Sequence, residues 1–162
     1  MPANDKKIKL NVMFVCTGNT CRSPMAEFLF KDYLKQKNRS GDFSVSSAGL
    51  EAAKGDVMTE QADEALNVLG VKHNGERKAR IFTVQMSLDS DLIIGMTREH
   101  AMRCYSDNAT SFADITGRPV ADPYGMSVQV YLECAAQIRS AFDKILEIAD
   151  ERLTEKREQS RA

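Results

Sequence analysis

One short stretch of the chain combines a cysteine, a small-residue loop and an arginine, residue types that can together bind and attack an oxyanion. The stretch reads Cys16-Thr17-Gly18-Asn19-Thr20-Cys21-Arg22-Ser23. Five residues separate Cys16 from Arg22, and a loop of that length can curl until successive backbone N–H groups point inward. Such a curl is a nest for an anion of phosphate size, and the planar guanidinium of Arg22 can bind two of its oxygens at once.

Cys16 is the candidate nucleophile of this stretch. An apolar run precedes it, and Ser23 followed by Pro24 is typical of the N-cap and first turn of a helix. A helix N-terminus and a neighbouring cation both stabilise the thiolate form of a cysteine, so we expect Cys16 to be substantially thiolate. Gly18 and Asn19 tolerate backbone geometry that other residues avoid, which suits a tight curl.

Three other interpretations of the loop are less favoured. A cysteine that ends a buried strand is often only a small core residue, but Arg22 and the loop composition favour chemistry over packing. The loop matches neither of the common glycine-rich nucleotide-binding patterns. The remaining candidate zinc ligands do not complete a recognised zinc spacing with Cys16 and Cys21; they are His73, His100, Cys104 and Cys134.

Length and composition are typical of one globular domain over residues 1–162. The chain has 162 residues, of which 43% are hydrophobic and 28% charged, with a net charge of −1. This balance argues against a protein built mainly to bind nucleic acid or an acidic membrane, and no apolar run approaches the roughly 20 residues that span a bilayer. The start lacks an apolar signal core and the four cysteines are scattered, which predicts a cytoplasmic protein.

Hydrophobic periodicity predicts alternating strands and helices. Strands are expected at residues 8–15, 43–47 and 92–94, and helices at 25–37, 59–69, 98–104 and, as one long helix, 131–146. Alternation of this kind indicates a parallel sheet covered on both faces, with a ligand at the carboxyl edge of the first strand. Residues 1–7 and 151–162 are expected to be flexible or solvent-exposed ends.

Several residues outside the loop could carry chemistry but have simpler interpretations. A basic stretch could line a substrate entrance, although a solvated loop is the favoured interpretation; its members are Lys72, His73, Arg77, Lys78 and Arg80. We expect His100 to be a surface or edge residue. Cys104 and Cys134 fall inside predicted helices and are expected to pack in the core.

Residues 15–27 resemble the signature of the low-molecular-weight protein-tyrosine-phosphatase family. Residues 46–49, 91–97 and 122–125 match further family segments in the family's order, so the resemblance covers about residues 8–150. It implies a single α/β domain with a flavodoxin-like, four-stranded parallel sheet and helices on both faces. It also implies hydrolysis of phosphorylated proteins through a phosphocysteine intermediate, with inorganic phosphate as product and neither cofactor nor metal.

The resemblance also assigns roles to individual residues. Cys16, Arg22 and Asp122 would be catalytic, with Asp122 acting as general acid and then as general base. Asn19 would brace the loop, and Ser23 would donate its hydroxyl to the Cys16 sulfur. Cys21 would either form a reversible disulfide with Cys16 or simply pack. Phosphate binding would fall to Thr17, Gly18, Asn19, Thr20, Cys21, Arg22 and Ser23.

The predicted substrate pocket departs from the tyrosine-specific pattern. Thr20 stands where that branch usually has isoleucine and resembles the bacterial protein-arginine-phosphatase branch. Tyr124 is followed by Gly125 rather than by a second aromatic residue, and residues 50–55 contain none. A guanidinium gains from polar neighbours and a nearby acid, so phosphoarginine is modestly favoured over phosphotyrosine. An arsenate reductase and a non-catalytic phosphate-binding module are remote alternatives, and a monomer or weak dimer is expected.

Overall fold

A four-stranded parallel sheet lies at the centre of the computed structural model, which describes residues 8–161. The strands are β1 (Leu10–Cys16), β2 (Phe43–Gly49), β3 (Leu92–Gly95) and β4 (Ala109–Ser111), in the spatial order β2-β1-β3-β4. β1 therefore has a neighbour on each side, and its last residues lie between the ends of β2 and β3. The predicted flexible lead at residues 1–7 lies outside the described residues.

Seven α-helices surround the sheet in the described part of the chain, and a short 3-10 helix at Ser40–Asp42 precedes β2. The α-helices are α1 (Arg22–Gln36), α2 (Glu60–Val68), α3 (Val84–Asp89), α4 (Arg98–Met102), α5 (Phe112–Thr116), α6 (Val128–Ser140) and α7 (Phe142–Gln159). Side chains that alternate along β1 enter different cores, because successive strand residues point to opposite faces. Val12 and Phe14 join the large cluster with α1, α6 and α7, whereas Met13 and Val15 join a smaller cluster against Met86 of α3. The predicted sheet with helices on both faces is confirmed.

The start of α1 differs from the prediction. The helix begins at Arg22, and Cys21 takes the cap position without a side-chain cap bond, so Ser23 is not the N-cap. The physical reason is that the Ser23 hydroxyl is engaged by the preceding loop, where it lies 2.9 Å from the Cys16 sulfur. The expected buried face of α1 is correct, since Met25, Phe28, Leu29 and Leu34 are all buried.

The predicted long helix over residues 131–146 is two helices, α6 and α7. They meet at Ala141, whose N–H donates to Ile138 O, three residues back, at 3.2 Å. A buried alanine allows this tight junction, and Ile138, Phe142 and Ile145 stay buried across it. Hydrophobic periodicity shows which residues are buried, and the same apolar spacing continues from α6 into α7. It does not show where the backbone hydrogen bonds change from four residues back to three, so it did not predict the break between the two helices.

Residues 151–162 are predicted from the sequence to be a flexible or solvent-exposed end, and in the described part of that range most side chains are exposed or half-exposed. The helix α7 continues to Gln159, and Leu153 on its inner face is only 3% exposed. Lys156 Nζ lies 2.7 Å from Asp91 Oδ2, and Arg157 Nη2 donates to Asp42 Oδ1 at 3.0 Å. These bonds attach the charged face of the last turns to the amino-terminal edge of the sheet, so the segment is ordered although many of its side chains are exposed.

Candidate active site

The loop from Cys16 to Arg22 connects the end of β1 directly to the start of α1. It curls back on itself at Asn19, which has a left-handed φ of 56°, and the Asn19 N–H donates to the Cys16 sulfur at 3.3 Å. Gly18 does not take a positive φ, so the expectation that it supplies unusual backbone geometry is wrong. Asparagine is among the few residues that adopt this region readily, and here its side chain stabilises it.

The buried Asn19 side chain connects the loop to β2. Its Oδ1 accepts the Arg80 N–H at 2.9 Å, which fixes the orientation of the amide. Its Nδ2 then donates to Ser47 Oγ at 3.0 Å, and Ser47 donates onward to Glu27 Oε1 at 2.7 Å. The curled loop is therefore held by side chains of α1 and β2 as well as by its own backbone.

The Asn19 side-chain amide also contacts the Ser23 hydroxyl. Asn19 Nδ2 donates to Ser23 Oγ at 2.8 Å, so this oxygen is an acceptor there and keeps its own hydrogen for another partner. The Cys16 sulfur lies 2.9 Å away, whereas the other acceptor in reach, Ala48 O, lies at 3.5 Å. The Ser23 hydroxyl therefore has a hydrogen available for the sulfur, and the Asn19 N–H is a second donor to it.

Arg22 points into the same region. It is 5% exposed, and its Nη1 donates to Val120 O at 3.0 Å. Its Nε is buried and has no hydrogen-bond partner among residues 8–161. A buried donor without an acceptor is costly, and an oxyanion bound in the loop would supply that acceptor.

Asp122 lies beside this guanidinium at the exposed side of the loop. Asp122 Oδ2 is 3.8 Å from Arg22 Nη2, and the side chain is 54% exposed. Its Oδ1 accepts the Tyr124 N–H at 3.1 Å and lies 3.8 Å from the Cys21 sulfur. The structure thus brings Asp122 to the loop that already holds Cys16 and Arg22, while Tyr124 is 71% exposed.

A family model described as low molecular weight phosphotyrosine protein phosphatase matches residues 11–159, which is nearly all of the chain. The chain belongs to the low molecular weight protein-tyrosine phosphatase family. Its members hydrolyse phosphorylated protein residues, so this protein is a protein phosphatase. The resemblance inferred from residues 15–27 is confirmed, and so is the fold that it implied.

The chain is similar both to proteins named tyrosine phosphatases and to proteins named arginine phosphatases. A low molecular weight protein-tyrosine-phosphatase PtpB of Staphylococcus epidermidis is 30% identical over 143 residues, covering 84% of this chain and 96% of that protein. A protein-arginine-phosphatase of Bacillus subtilis is 32% identical over 146 residues, covering 85% and 92%. A YwlE arginine phosphatase mutant with a phosphorylated active site serine superimposes with a TM-score of 0.80 at 30% identity, covering 89% and 99%.

His100 is buried against the loop from Cys16 to Arg22, contrary to the expectation of a surface or edge residue. It is 6% exposed, and its Nε2 lies 2.9 Å from Thr17 Oγ1. Burial, with the charges of Arg22 and Arg103, lowers the pKa of His100 to about 4, so its ring is neutral. The sequence contained one indication of this placement: His100 comes shortly after β3. The carboxyl ends of neighbouring parallel strands meet at one edge of the sheet, so a residue just after β3 lies near the loop that follows β1.

The basic stretch is only partly the solvated loop that was favoured. The Arg77 side chain is 12% exposed, and its Nη2 donates to Ser47 Oγ at 2.7 Å and lies 3.2 Å from Glu27 Oε1. The His73 side chain is 5% exposed and lies 2.7 Å from Asp63 Oδ1. The interpretation is wrong for these two residues, because Arg77 has the buried partners Ser47 and Glu27 and the buried His73 ring lies against the partly exposed Asp63. Lys72, Lys78 and Arg80 are exposed as expected.

All four cysteines are buried free thiols. Burial, together with the nearby Cys16 and Asp122, raises the pKa of Cys21 to about 12, so Cys21 is a neutral thiol. Burial likewise raises the pKa values of Cys104 and Cys134 to about 11, in agreement with core packing.

Within residues 8–161 there is no cluster of three potential metal-ligating side chains and no helix long and apolar enough to cross a bilayer.

Proposed function

We propose that Cys16 is the nucleophile of a protein phosphatase that works through a phosphocysteine intermediate. The observation that carries this is the pair of donors on the Cys16 sulfur, the Ser23 hydroxyl at 2.9 Å and the Asn19 N–H at 3.3 Å. They stabilise the thiolate that attacks phosphorus and stabilise it again when it leaves. The residue is 1% exposed, so the phosphoryl group reaches the sulfur only by entering the loop.

Arg22 and the loop amides hold the transferred phosphoryl group. Phosphoryl transfer needs little covalent chemistry from the protein and depends on positioning and on charge stabilisation around the equatorial oxygens. The buried Arg22 Nε, which has no partner in the described chain, supplies one such donor. The N–H groups contributed by residues 17–23 supply the others.

Asp122 carries the proton in both steps. In the first step the sulfur–phosphorus bond forms, the bond to the leaving group breaks, and the Asp122 carboxyl protonates the leaving oxygen or nitrogen. In the second step the Asp122 carboxylate takes a proton from water, which attacks phosphorus and releases phosphate and the Cys16 thiolate. Its exposed position 3.8 Å from Arg22 suits this exchange with substrate and water.

The preferred substrate in this proposal is phosphoarginine in proteins. Thr20 gives a polar side chain where a phenyl ring would need an apolar wall, and Tyr124, at 71% exposure, is the single aromatic residue of residues 119–125. Asp122 adds an acid that a guanidinium can contact. The Bacillus subtilis relative, named a protein-arginine-phosphatase, supports the same choice.

Phosphotyrosine is the second candidate. Tyr124 can pack against one face of a phenyl ring at the entrance of the loop, and the Staphylococcus epidermidis relative is named a protein-tyrosine-phosphatase. Both substrates present the same phosphoryl group to Cys16. The choice therefore depends on the residues around the entrance rather than on the chemistry at phosphorus.

The deciding experiment compares two peptides of one sequence, one with phosphoarginine and one with phosphotyrosine. We expect a higher kcat/KM for phosphoarginine, no turnover by Cys16→Ser, and a shift toward phosphotyrosine in Thr20→Ile. Thr20→Ser, which keeps the hydroxyl, is the matched control and should keep the wild-type ratio. An unchanged ratio in Thr20→Ile would reject Thr20 as the selector, and hydrolysis by Cys16→Ser would reject the nucleophile.

The remaining expectations are part of the same proposal. Four buried free thiols support a reducing, cytoplasmic location. Cys21 would protect Cys16 by forming a reversible disulfide under oxidation. The protein would act as a monomer or weak dimer on phosphorylated protein partners, with inorganic phosphate released as product.

A further inference from the structure

His100 occupies a fixed place at the carboxyl edge of the sheet. Gly95 ends β3 opposite Val15, one residue before Cys16. A Cβ added to Gly95 would lie 2.6 Å from Ala101 N and 3.1 Å from His100 Cβ, so α4 packs directly on the end of this strand. The backbone of His100 is therefore held relative to the strand that carries the nucleophile.

Both ring nitrogens of His100 have partners. Nε2 lies 2.9 Å from Thr17 Oγ1, and Nδ1 lies 3.1 Å from Thr97 Oγ1. Thr97 is also the N-cap of α4 and accepts the His100 N–H at 3.2 Å. A neutral imidazole has one donor and one acceptor, and two hydroxyl groups satisfy both in either tautomer. The ring is thus fixed from two sides and presents one nitrogen to Thr17.

Thr17 follows Cys16 in the loop from Cys16 to Arg22, the phosphate loop of the proposed mechanism. Its carbonyl accepts the Glu51 N–H at 2.9 Å, and the absence of a side chain on Gly49 allows this close approach, because a Cβ there would lie 2.5 Å from Thr17 O. These contacts fix the carbonyl side of Thr17. The hydrogen bond to His100 fixes the Thr17 side chain. With the carbonyl and the side chain both held, the orientation of the Thr17 backbone at the start of the loop is set.

We propose that His100 is a positioning residue that acts through Thr17 to align the start of the phosphate loop with the Cys16 sulfur. The proposal rests on the proposed cysteine mechanism for its effect on rate, and on geometry alone for its effect on anion binding. Loop donors must match the transition state more closely than the substrate, so misalignment lowers kcat more than it raises KM.

The variants separate this role from simple packing. His100→Phe fills the site without a ring nitrogen, and His100→Gln places an amide near the position of Nε2. Thr17→Val removes the hydroxyl at nearly constant volume, and the combined variant closes a double-mutant cycle. Glu99→Gln, an exposed change one residue away on α4, is the matched control with wild-type activity.

We expect His100→Phe to lower kcat for p-nitrophenyl phosphate about tenfold with KM within about twofold, and His100→Gln to regain most of that loss. His100→Phe/Thr17→Val should be no slower than the slower single variant. Orthovanadate affinity, measured by calorimetry, should fall by a similar factor in His100→Phe. Circular dichroism verifies that each variant is folded.

Independent losses that multiply in the double variant, or a His100→Gln enzyme as slow as His100→Phe, would overturn the proposal. So would unchanged orthovanadate binding in a folded His100→Phe variant. Failure of the proposed function is recognised separately, by hydrolysis in Cys16→Ser. The binding measurement tests His100 in that case too, because it needs no turnover.

Discussion

Replacing Asn19 tests whether the loop geometry depends on one left-handed residue. Asn19→Ala and Asn19→Gly both remove the same three side-chain hydrogen bonds, to Ser23, Ser47 and Arg80. At about 1 kcal/mol for each bond, both variants should lose about 3 kcal/mol of unfolding free energy. The two differ in the backbone, since Asn19 has a φ of 56°.

The difference between the two variants isolates the backbone contribution. Alanine in the left-handed region costs roughly 1–2 kcal/mol, and the greater unfolded-state entropy of glycine offsets about 0.4–1 kcal/mol of that. We therefore expect Asn19→Gly to be more stable than Asn19→Ala by about 0.5–1 kcal/mol, the reverse of the usual order in a helix. Both should also lose kcat/KM by about a hundredfold, because the amide of residue 19 no longer points reliably at the Cys16 sulfur.

Urea unfolding followed by circular dichroism measures the first effect, and hydrolysis of p-nitrophenyl phosphate measures the second. If Asn19→Ala equals or exceeds Asn19→Gly in stability, position 19 is not left-handed in solution. If both variants lie within about 0.5 kcal/mol of wild type, well below the sum expected for three bonds, the side-chain network does not hold the loop.

Three further predictions follow from the same site. Asp122→Asn should lower kcat/KM, which reports the first step, by about 10²–10⁴-fold for phenyl phosphate but much less for p-nitrophenyl phosphate, because p-nitrophenolate leaves without a proton; equal losses in kcat/KM would contradict the acid role. After peroxide treatment, Cys21→Ser should regain less activity with added thiol than wild type, and equal recovery would remove the protective role. Because burial lowers the pKa of His100 from 6.5 to about 4, the unfolded chain binds a proton in that range that the folded chain does not. Stability should therefore fall as pH decreases from 6.5 to about 4; His100→Gln should have a flatter profile by urea unfolding, and an unchanged slope would contradict this.

The loop itself was readable from sequence because its chemistry is local. Cys16 and Arg22 are six positions apart, and the strand and helix that orient them are adjacent in the chain. The sheet around them was predictable in part: β1 and β3 have apolar runs and β2 has an alternating pattern, whereas β4 spans only Ala109–Ser111 and has neither. Its existence followed only from the family resemblance.

The side chains behind the loop could not be placed because their partners are distant in sequence. His100 is 83 residues from Thr17, and Arg77 is 30 residues from Ser47. Composition makes a basic stretch look solvated, since most of its members are, and it gives no sign that one arginine turns inward to a buried glutamate. The partner of an isolated histidine is decided by tertiary packing, which periodicity does not encode.

Two glycines show how the fold and the chemistry depend on each other. β2 and β3 flank β1, and each ends in a glycine where a Cβ would collide with backbone, Gly49 with Thr17 O at 2.5 Å and Gly95 with Ala101 N at 2.6 Å. The first allows β2 to approach the start of the phosphate loop, and the second brings α4 close enough for His100 to reach Thr17. Both contacts converge on the residue after the nucleophile. The geometry at Cys16 therefore depends on strand ends that contribute no reactive group of their own.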